Sequence, residues 1–171
     1  MSMENPAYLI YGANGYTGEL IARAAGARGH RPILAGRSAA AVGALAQELG
    51  LESRAFGLDD PRALDAGLAG AGLVLNCAGP FIRTAEPVAS ACLRRGAHYL
   101  DVTGEIPVFE MLARRHAAAQ EAGVMLLPGV GFDVVPSDCL AAHLKRRLPS
   151  ASHLRLAFQP GIGASRGTAT T

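Results

Sequence analysis

The sequence predicts an α/β fold, a mostly parallel sheet with helices on both faces, and two observations predict it. A short apolar run near the start ends in three glycines and passes at once into a helical pattern. Six such apolar runs then alternate with helical segments, each long enough to cross over between parallel strands.

The first element is Ala7 to Tyr11, short, apolar and bounded by turn residues, as a buried strand should be. Gly12-Ala13-Asn14-Gly15-Tyr16-Thr17-Gly18 follows, and Leu20, Ile21 and Ala24 recur behind it at helical spacing. Each glycine has a physical reason to be there. Gly12 permits the tight turn, Gly15 lets backbone approach a phosphate, and Gly18 lets the new helix lie close on the strand. The N–H groups that open this helix lack internal partners and point at any anion placed there. The spacing G-x-x-G-x-x-G is a variant of the dinucleotide pattern and is shared with ordinary turns. The second strand makes it informative. Pro32 to Ala35 is followed by Gly36-Arg37-Ser38, roughly 20 residues past the last glycine, where such folds read the ribose. An NAD site places Asp or Glu there; a guanidinium from Arg37, with the Ser38 hydroxyl beside it, suits a 2′-phosphate and predicts NADP.

The remaining elements follow in order. Ala39 to Leu49 reads as a helix closed by Gly50, and Ser53 to Phe56 as a third strand. Asp59 lies in the loop that passes the adenine in doubly wound folds, and is a candidate either for a hydrogen bond there or for capping the helix Pro61 to Leu68. Leu73 to Asn76 is a fourth strand, and Asn76-Cys77-Ala78-Gly79-Pro80 ends it in small residues and turn formers beside the glycine turn. Strands one and four are neighbours at the topological switch point of a Rossmann sheet of order 3-2-1-4-5-6, so the middle of the cofactor is expected against residues 76 to 80. Helix Thr84 to Arg95, strand His98 to Val102, helix Val108 to Ala122, strand Val124 to Leu127 and helix Ser137 to Leu148, capped by its serine, complete the alternation. His153 to Phe158 alternates like a half-buried antiparallel strand. It is read as the start of a second domain, giving residues 1–150 as the cofactor domain and 151–171 as the beginning of a truncated substrate or dimerisation domain.

Composition bounds the function. Of 171 residues half are hydrophobic and 18% charged, with a net charge of +2, too small and scattered to indicate nucleic acid. No window reaches the roughly 18 apolar residues of a spanning helix, and the three cysteines form no C-x-x-C, so a cytoplasmic protein with reduced thiols is expected. The expected partner is a small-molecule substrate, with a homodimer left open.

Several mechanisms are disfavoured by the residues. Lys145 is the single lysine, and neither a P-loop nor a Tyr-x-x-x-Lys pair is present, since Ala141 stands where the tyrosine belongs. The five histidines never approach metal-ligand spacing. Gly163-Ala164-Ser165-Arg166-Gly167 matches G-x-S-x-G, but no strand leads directly into it and no helical pattern follows. No general acid stands out for hydride transfer; Glu105 and Asp133 lie on the crevice side, as substrate or proton groups or as caps and turn residues.

Five stretches together carry a resemblance: Tyr11 to Gly18, Ala35-Gly36-Arg37, Asn76 to Phe81, Tyr99-Leu100-Asp101-Val102-Thr103-Gly104-Glu105, and Pro128-Gly129-Val130-Gly131-Phe132-Asp133. In this order they resemble the saccharopine dehydrogenase-like family, which includes the bacterial trans-acting enoyl reductases. The resemblance implies the NADP-binding domain of an oxidoreductase whose second, mostly β domain covers the nicotinamide. It implies cofactor contacts from Gly12, Ala13, Asn14, Gly15, Tyr16, Thr17, Gly18, Arg37, Ser38 and residues 76 to 80, and it assigns no proton donor. Ser165-Arg166-Gly167-Thr168 resembles the family's entry into that second domain. Two other readings stand beside it: a dinucleotide-sensing module without turnover, and a flavin or adenosyl binder on the same scaffold.

Overall fold

The computed structural model describes residues 7–132 and 134–157. Along β1 (Tyr8–Tyr11) side chains alternate between two faces that are both covered, which is why the run is continuously apolar. Leu9 and Tyr11 join one core with Phe56, Val74, Val88, Tyr99 and Val108, while Ile10 joins a second with Ala22, Leu34, Val42 and Leu45. The residues of these clusters place α1 (Tyr16–Ala27) and α2 (Ala39–Leu49) on one face of the sheet. On the other lie α3 (Pro61–Gly67), α4 (Phe81–Arg95) and α5 (Ile106–Ala113).

The sheet takes β2 (Ile33–Gly36), β3 (Ser53–Ala55), β4 (Leu73–Asn76), β5 (His98–Asp101) and β6 (Leu126–Leu127) in the order β3-β2-β1-β4-β5-β6. Every pair is parallel, and the order is the one expected from sequence. The strand order reverses its direction between β1 and β4, which leaves a crevice at their carboxyl ends. Tyr11 pairs in register with Asn76, and Asn76 with Asp101, so these three mark the carboxyl edge of the sheet.

Several boundaries differ from the expected ones, and the causes are long-range. Helix α4 begins at Phe81 and not at Thr84, because the Glu105 carboxylate accepts hydrogen bonds from the N–H groups of Phe81 (2.8 Å) and Ile82 (2.7 Å). The single helix expected over 108–122 is two, α5 and α6 (His116–Ala122). The chain tightens where Arg115 N–H bonds Leu112 O at 3.0 Å, and the Arg115 guanidinium is held by Ser90 and Glu86 of α4. Helix α7 (Val135–Arg147) starts two residues before Ser137, whose hydroxyl donates to Val134 O, so the serine is not its cap. Residues 153–157 form no strand, and among the described residues no neighbouring strand supplies them with ladder hydrogen bonds. Phe158, Asp133 and the segments 163–167 and 165–168 singled out above lie outside the described residues. No helix among the described residues is long and apolar enough to cross a membrane.

Candidate functional site

The site is built by the end of β1. Gly12 takes φ +80°, and a Cβ there would meet Ala78 N at 2.8 Å, so only glycine admits both the turn and the close approach of the β4 loop. Gly12 N–H and Ala13 N–H both donate to Ala35 O, at 2.8 and 3.1 Å, which ties the turn to β2. Gly18 is the contact point of helix and turn: a Cβ on it would lie 2.2 Å from Gly12 O. Helix α1 consequently starts directly over the strand end, with Gly15 as its N-cap and no side chain bonded to its first N–H groups. Tyr16, Thr17 and Gly18 supply the amides that an α-helix leaves without internal partners, and the positive end of the dipole adds to them.

A cleft of about 770 Å³ lies in front of this turn. Its walls bring together Gly12, Asn14, Gly15, Tyr16 and Thr17 from the turn, Arg37 and Ser38 from the end of β2, and Cys77, Ala78 and Gly79 from the end of β4. Ala13 and Gly18, also expected as contacts, are buried beneath it, and Pro80 and Asp59 are not among its lining residues. The volume falls within the range of sites for cofactor-sized molecules.

Arg37 is exposed and forms no hydrogen bond or ion pair among the described residues. Ser38 is the N-cap of α2, its Oγ accepting from Ala41 N at 3.3 Å, which leaves the hydroxyl proton free to donate outward. The cleft thus has two helix N-termini facing it, α1 at the turn and α2 beside Arg37. Asp59 does not cap α3; Asp60 does, accepting from Arg62 N at 2.9 Å. Two lining residues were not foreseen. Gly36 lies close under Asn14, where a Cβ would meet Asn14 Oδ1 at 2.9 Å and displace that side chain, and Tyr11 donates its hydroxyl to Phe56 O at 3.2 Å, which holds the β3 loop. Burial pushes the Tyr11 phenol up, with Arg37 opposing and Asp59 adding to the shift.

Behind the opposite wall sits a polar network. Asn76, Asp101 and Thr103 are the buried polar residues among those described, and all stand at or just past the carboxyl ends of β4 and β5. Asp101 accepts from Tyr99 OH (2.7 Å), Thr103 N (3.0 Å) and Gly129 N (2.9 Å). Burial nevertheless raises its pKa, since desolvation outweighs these bonds. Asn76 points into this network and not into the cleft: Nδ2 donates to Thr84 Oγ1 and Tyr99 OH, and Oδ1 accepts from Ala78 N. The Gly79–Pro80 peptide beside it is cis.

Chemistry at this end is constrained. Both oxygens of Glu105 are taken by the first N–H groups of α4. Burial, with Asp101 adding, pushes the Cys77 thiol up to about 12, so it stays protonated and a poor nucleophile at neutral pH. Among the described residues no group of His, Cys, Asp and Glu could hold a metal ion.

A glycine turn and helix at the switch point of a parallel sheet, with a free arginine at the second strand end, define a doubly wound dinucleotide-binding domain. The chain belongs to the saccharopine dehydrogenase NADP-binding domain family, whose pattern matches residues 8–127. It is 33% identical over 151 residues to a trans-acting enoyl reductase of Mycobacterium tuberculosis, covering 81% of this chain and 35% of that protein. A saccharopine dehydrogenase-like oxidoreductase of Mus musculus is 32% identical over 150 residues, covering 76% of this chain and 35% of its own. The fold matches apo histidine-tagged saccharopine dehydrogenase (L-Glu forming) of Saccharomyces cerevisiae at TM-score 0.74 and 19% identity, over 85% of this chain and 32% of that one. This chain spans about a third of the length of these proteins.

Proposed function

We propose that this domain holds NADP(H) across the carboxyl edge of the sheet and serves an oxidoreductase that transfers hydride to or from a small-molecule or acyl substrate. The observation that carries this is the pairing of Arg37 with the N-terminus of α2 in the same cleft as the N-terminus of α1. Two anionic groups are thereby accommodated: a diphosphate on the amides of residues 16–18, and a 2′-phosphate between the Arg37 guanidinium and the Ser38 hydroxyl. The Cys77–Gly79 wall then faces the nicotinamide half, with Pro80 next to it in the chain. Asn76, Ala13 and Gly18 serve from beneath by shaping these walls, and Asp59, near Tyr11, borders the adenine end. The protein supplies binding and orientation, while the bound cofactor supplies the hydride chemistry.

The relatives' greater length supports a division of labour in which residues 1–150 bind cofactor and a further domain, entered from residue 151, completes the substrate site. Cytoplasmic residence is supported by the unpaired Cys77, Cys92 and Cys139, and a homodimer by the exposed Leu140 and Leu144 of α7 and Leu148 just past its end.

Titration of the wild type and Arg37→Ala with NADPH and NADH tests the reading. NADPH affinity should fall between about tenfold and a hundredfold, the worth of a charge-assisted hydrogen bond, with NADH within about twofold. Equal losses for both coenzymes would remove the assignment. A second reading, a sensing module without turnover, is favoured by the engagement of Glu105 and the raised Cys77 pKa, which leave the nicotinamide end without a ready acid among the described residues. Hydride transfer by the full-length protein to an enoyl or imine substrate excludes it.

A further inference from the structure

We propose that Thr84, which does not line the cleft, is a positioning residue that sets the nicotinamide-side wall through Ala78. This rests on the reading of the cleft as an NADP(H) site.

The neighbours of Asn76 fix the orientation of its side-chain amide. Tyr99 OH is committed as a donor to Asp101 Oδ2, so it must accept from Asn76 Nδ2, 3.3 Å away. Thr84 OH donates to Ala78 O at 2.6 Å, so Thr84 Oγ1 must likewise accept from Nδ2, at 3.1 Å. Oδ1 then faces Ala78 N at 3.0 Å. Both protons of Nδ2 are used, and Ala78 is held at its N–H by Asn76 and at its carbonyl by Thr84. The N–H bond restrains one end of this peptide segment. The carbonyl bond, which Thr84 alone supplies among the described residues, restrains the other and aligns Gly79 next in the chain.

The same Ala78 packs on the glycine turn, where a Cβ on Gly12 would touch its N, Cα and Cβ at 2.8 to 3.0 Å. Thr84 therefore keeps the wall pressed toward the turn from behind. Without the hydroxyl, Ala78 O and one proton of Asn76 lose their partner, and the loop is free to turn that carbonyl toward the cleft in search of another. Arg37, Ser38 and α2 lie across β1 from this loop and have no part in the network. The effect should accordingly be confined to the half of the ligand that meets residues 77–79.

Calorimetric titration of wild type, Thr84→Val, Thr84→Ala and Thr84→Ser with NADPH and with 2′,5′-ADP separates the halves, since the second ligand lacks the nicotinamide. We expect Kd for NADPH to rise about tenfold in the valine and alanine variants while Kd for 2′,5′-ADP stays within about twofold, and Thr84→Ser to restore NADPH binding. Parallel losses for both ligands, no loss for either, or a serine variant as impaired as valine would overturn the proposal. Alanine carries the test if valine does not fold, and failure of both to fold while serine folds and binds normally would show a structural role and overturn it. Wild-type protein that binds neither ligand would refute the cleft reading itself, whereas binding of 2′,5′-ADP with an unchanged ratio in the variants would sink only the role of Thr84.

Discussion

Gly18→Ala tests the packing on which the cleft depends. The added Cβ would lie 2.2 Å from Gly12 O and 2.9 Å from both Ala13 Cα and Gly12 C, and all three are backbone atoms that cannot rotate away. Restoring an ordinary contact requires the first turn of α1 to move ~1 Å from the end of β1. Overpacking costs about 1–3 kcal/mol, and a 2.2 Å approach to fixed backbone belongs to the upper part of that range, about 2–3 kcal/mol; the better helix propensity of alanine returns only ~1 kcal/mol, so steric cost wins. A net loss of ~1–2 kcal/mol corresponds to a Tm lower by about 2–8 °C for a chain of this size. The displaced amides should also weaken NADPH binding by at least ~tenfold. Gly26→Ala is the internal control: it lies on the same helix, is exposed, and a Cβ there meets nothing within 4 Å. It should stabilise by about 0.4–1 kcal/mol and leave binding unchanged. Urea unfolding of the two variants, with and without NADPH, reads both quantities. If both substitutions stabilise, the close contact between α1 and the glycine turn is not what holds the site.

Two further expectations concern the other end of the cleft. Glu105→Ala removes the acceptors for the first N–H groups of α4 and should cost ~1–2 kcal/mol, with Glu105→Gln less damaging because one acceptor oxygen remains; thermal melts unchanged in both would refute this capping. For Asp101 the sign follows from its raised pKa. Its contribution to stability is complete below the unfolded-state value of 3.8 and is lost as pH rises through the folded-state value. The stability of wild type relative to Asp101→Asn should therefore fall as pH rises from the unfolded-state value through the raised folded-state value, by ~1.4 kcal/mol for each tenfold difference in proton affinity between folded and unfolded chains. A relative stability that rises with pH in urea titrations would contradict the burial argument.

The family's glycines, the Arg37 position and the strand order were legible because each rests on a local rule. Period-two and period-3.6 patterning, turn stereochemistry and the offset from the glycine turn to the second strand end are all properties of neighbours along the chain. Arg37 was identifiable without any contact, since its meaning lies in an acidic residue being absent at that offset. Asn76 shows the limit. Its position at a strand end points to the cofactor, yet its side chain turns inward to Tyr99 and Thr84. Nothing in the residues between 76 and 99 announces that pairing.

Chain order thus determined the layers of this protein, the crevice and the guanidinium that lines it, because backbone hydrogen bonding and apolar alternation leave few ways to assemble six strands and their crossovers. Tertiary structure alone decided that Glu105 caps a helix 24 residues earlier, that Arg115 interrupts a helical run by binding α4, and that Thr84 and Asn76 clamp one wall. The physical reason is common to all three. A polar side chain buried or half-buried at the edge of a sheet takes whichever partner the packed elements bring within about 3 Å, and that choice exists only once the strands lie side by side.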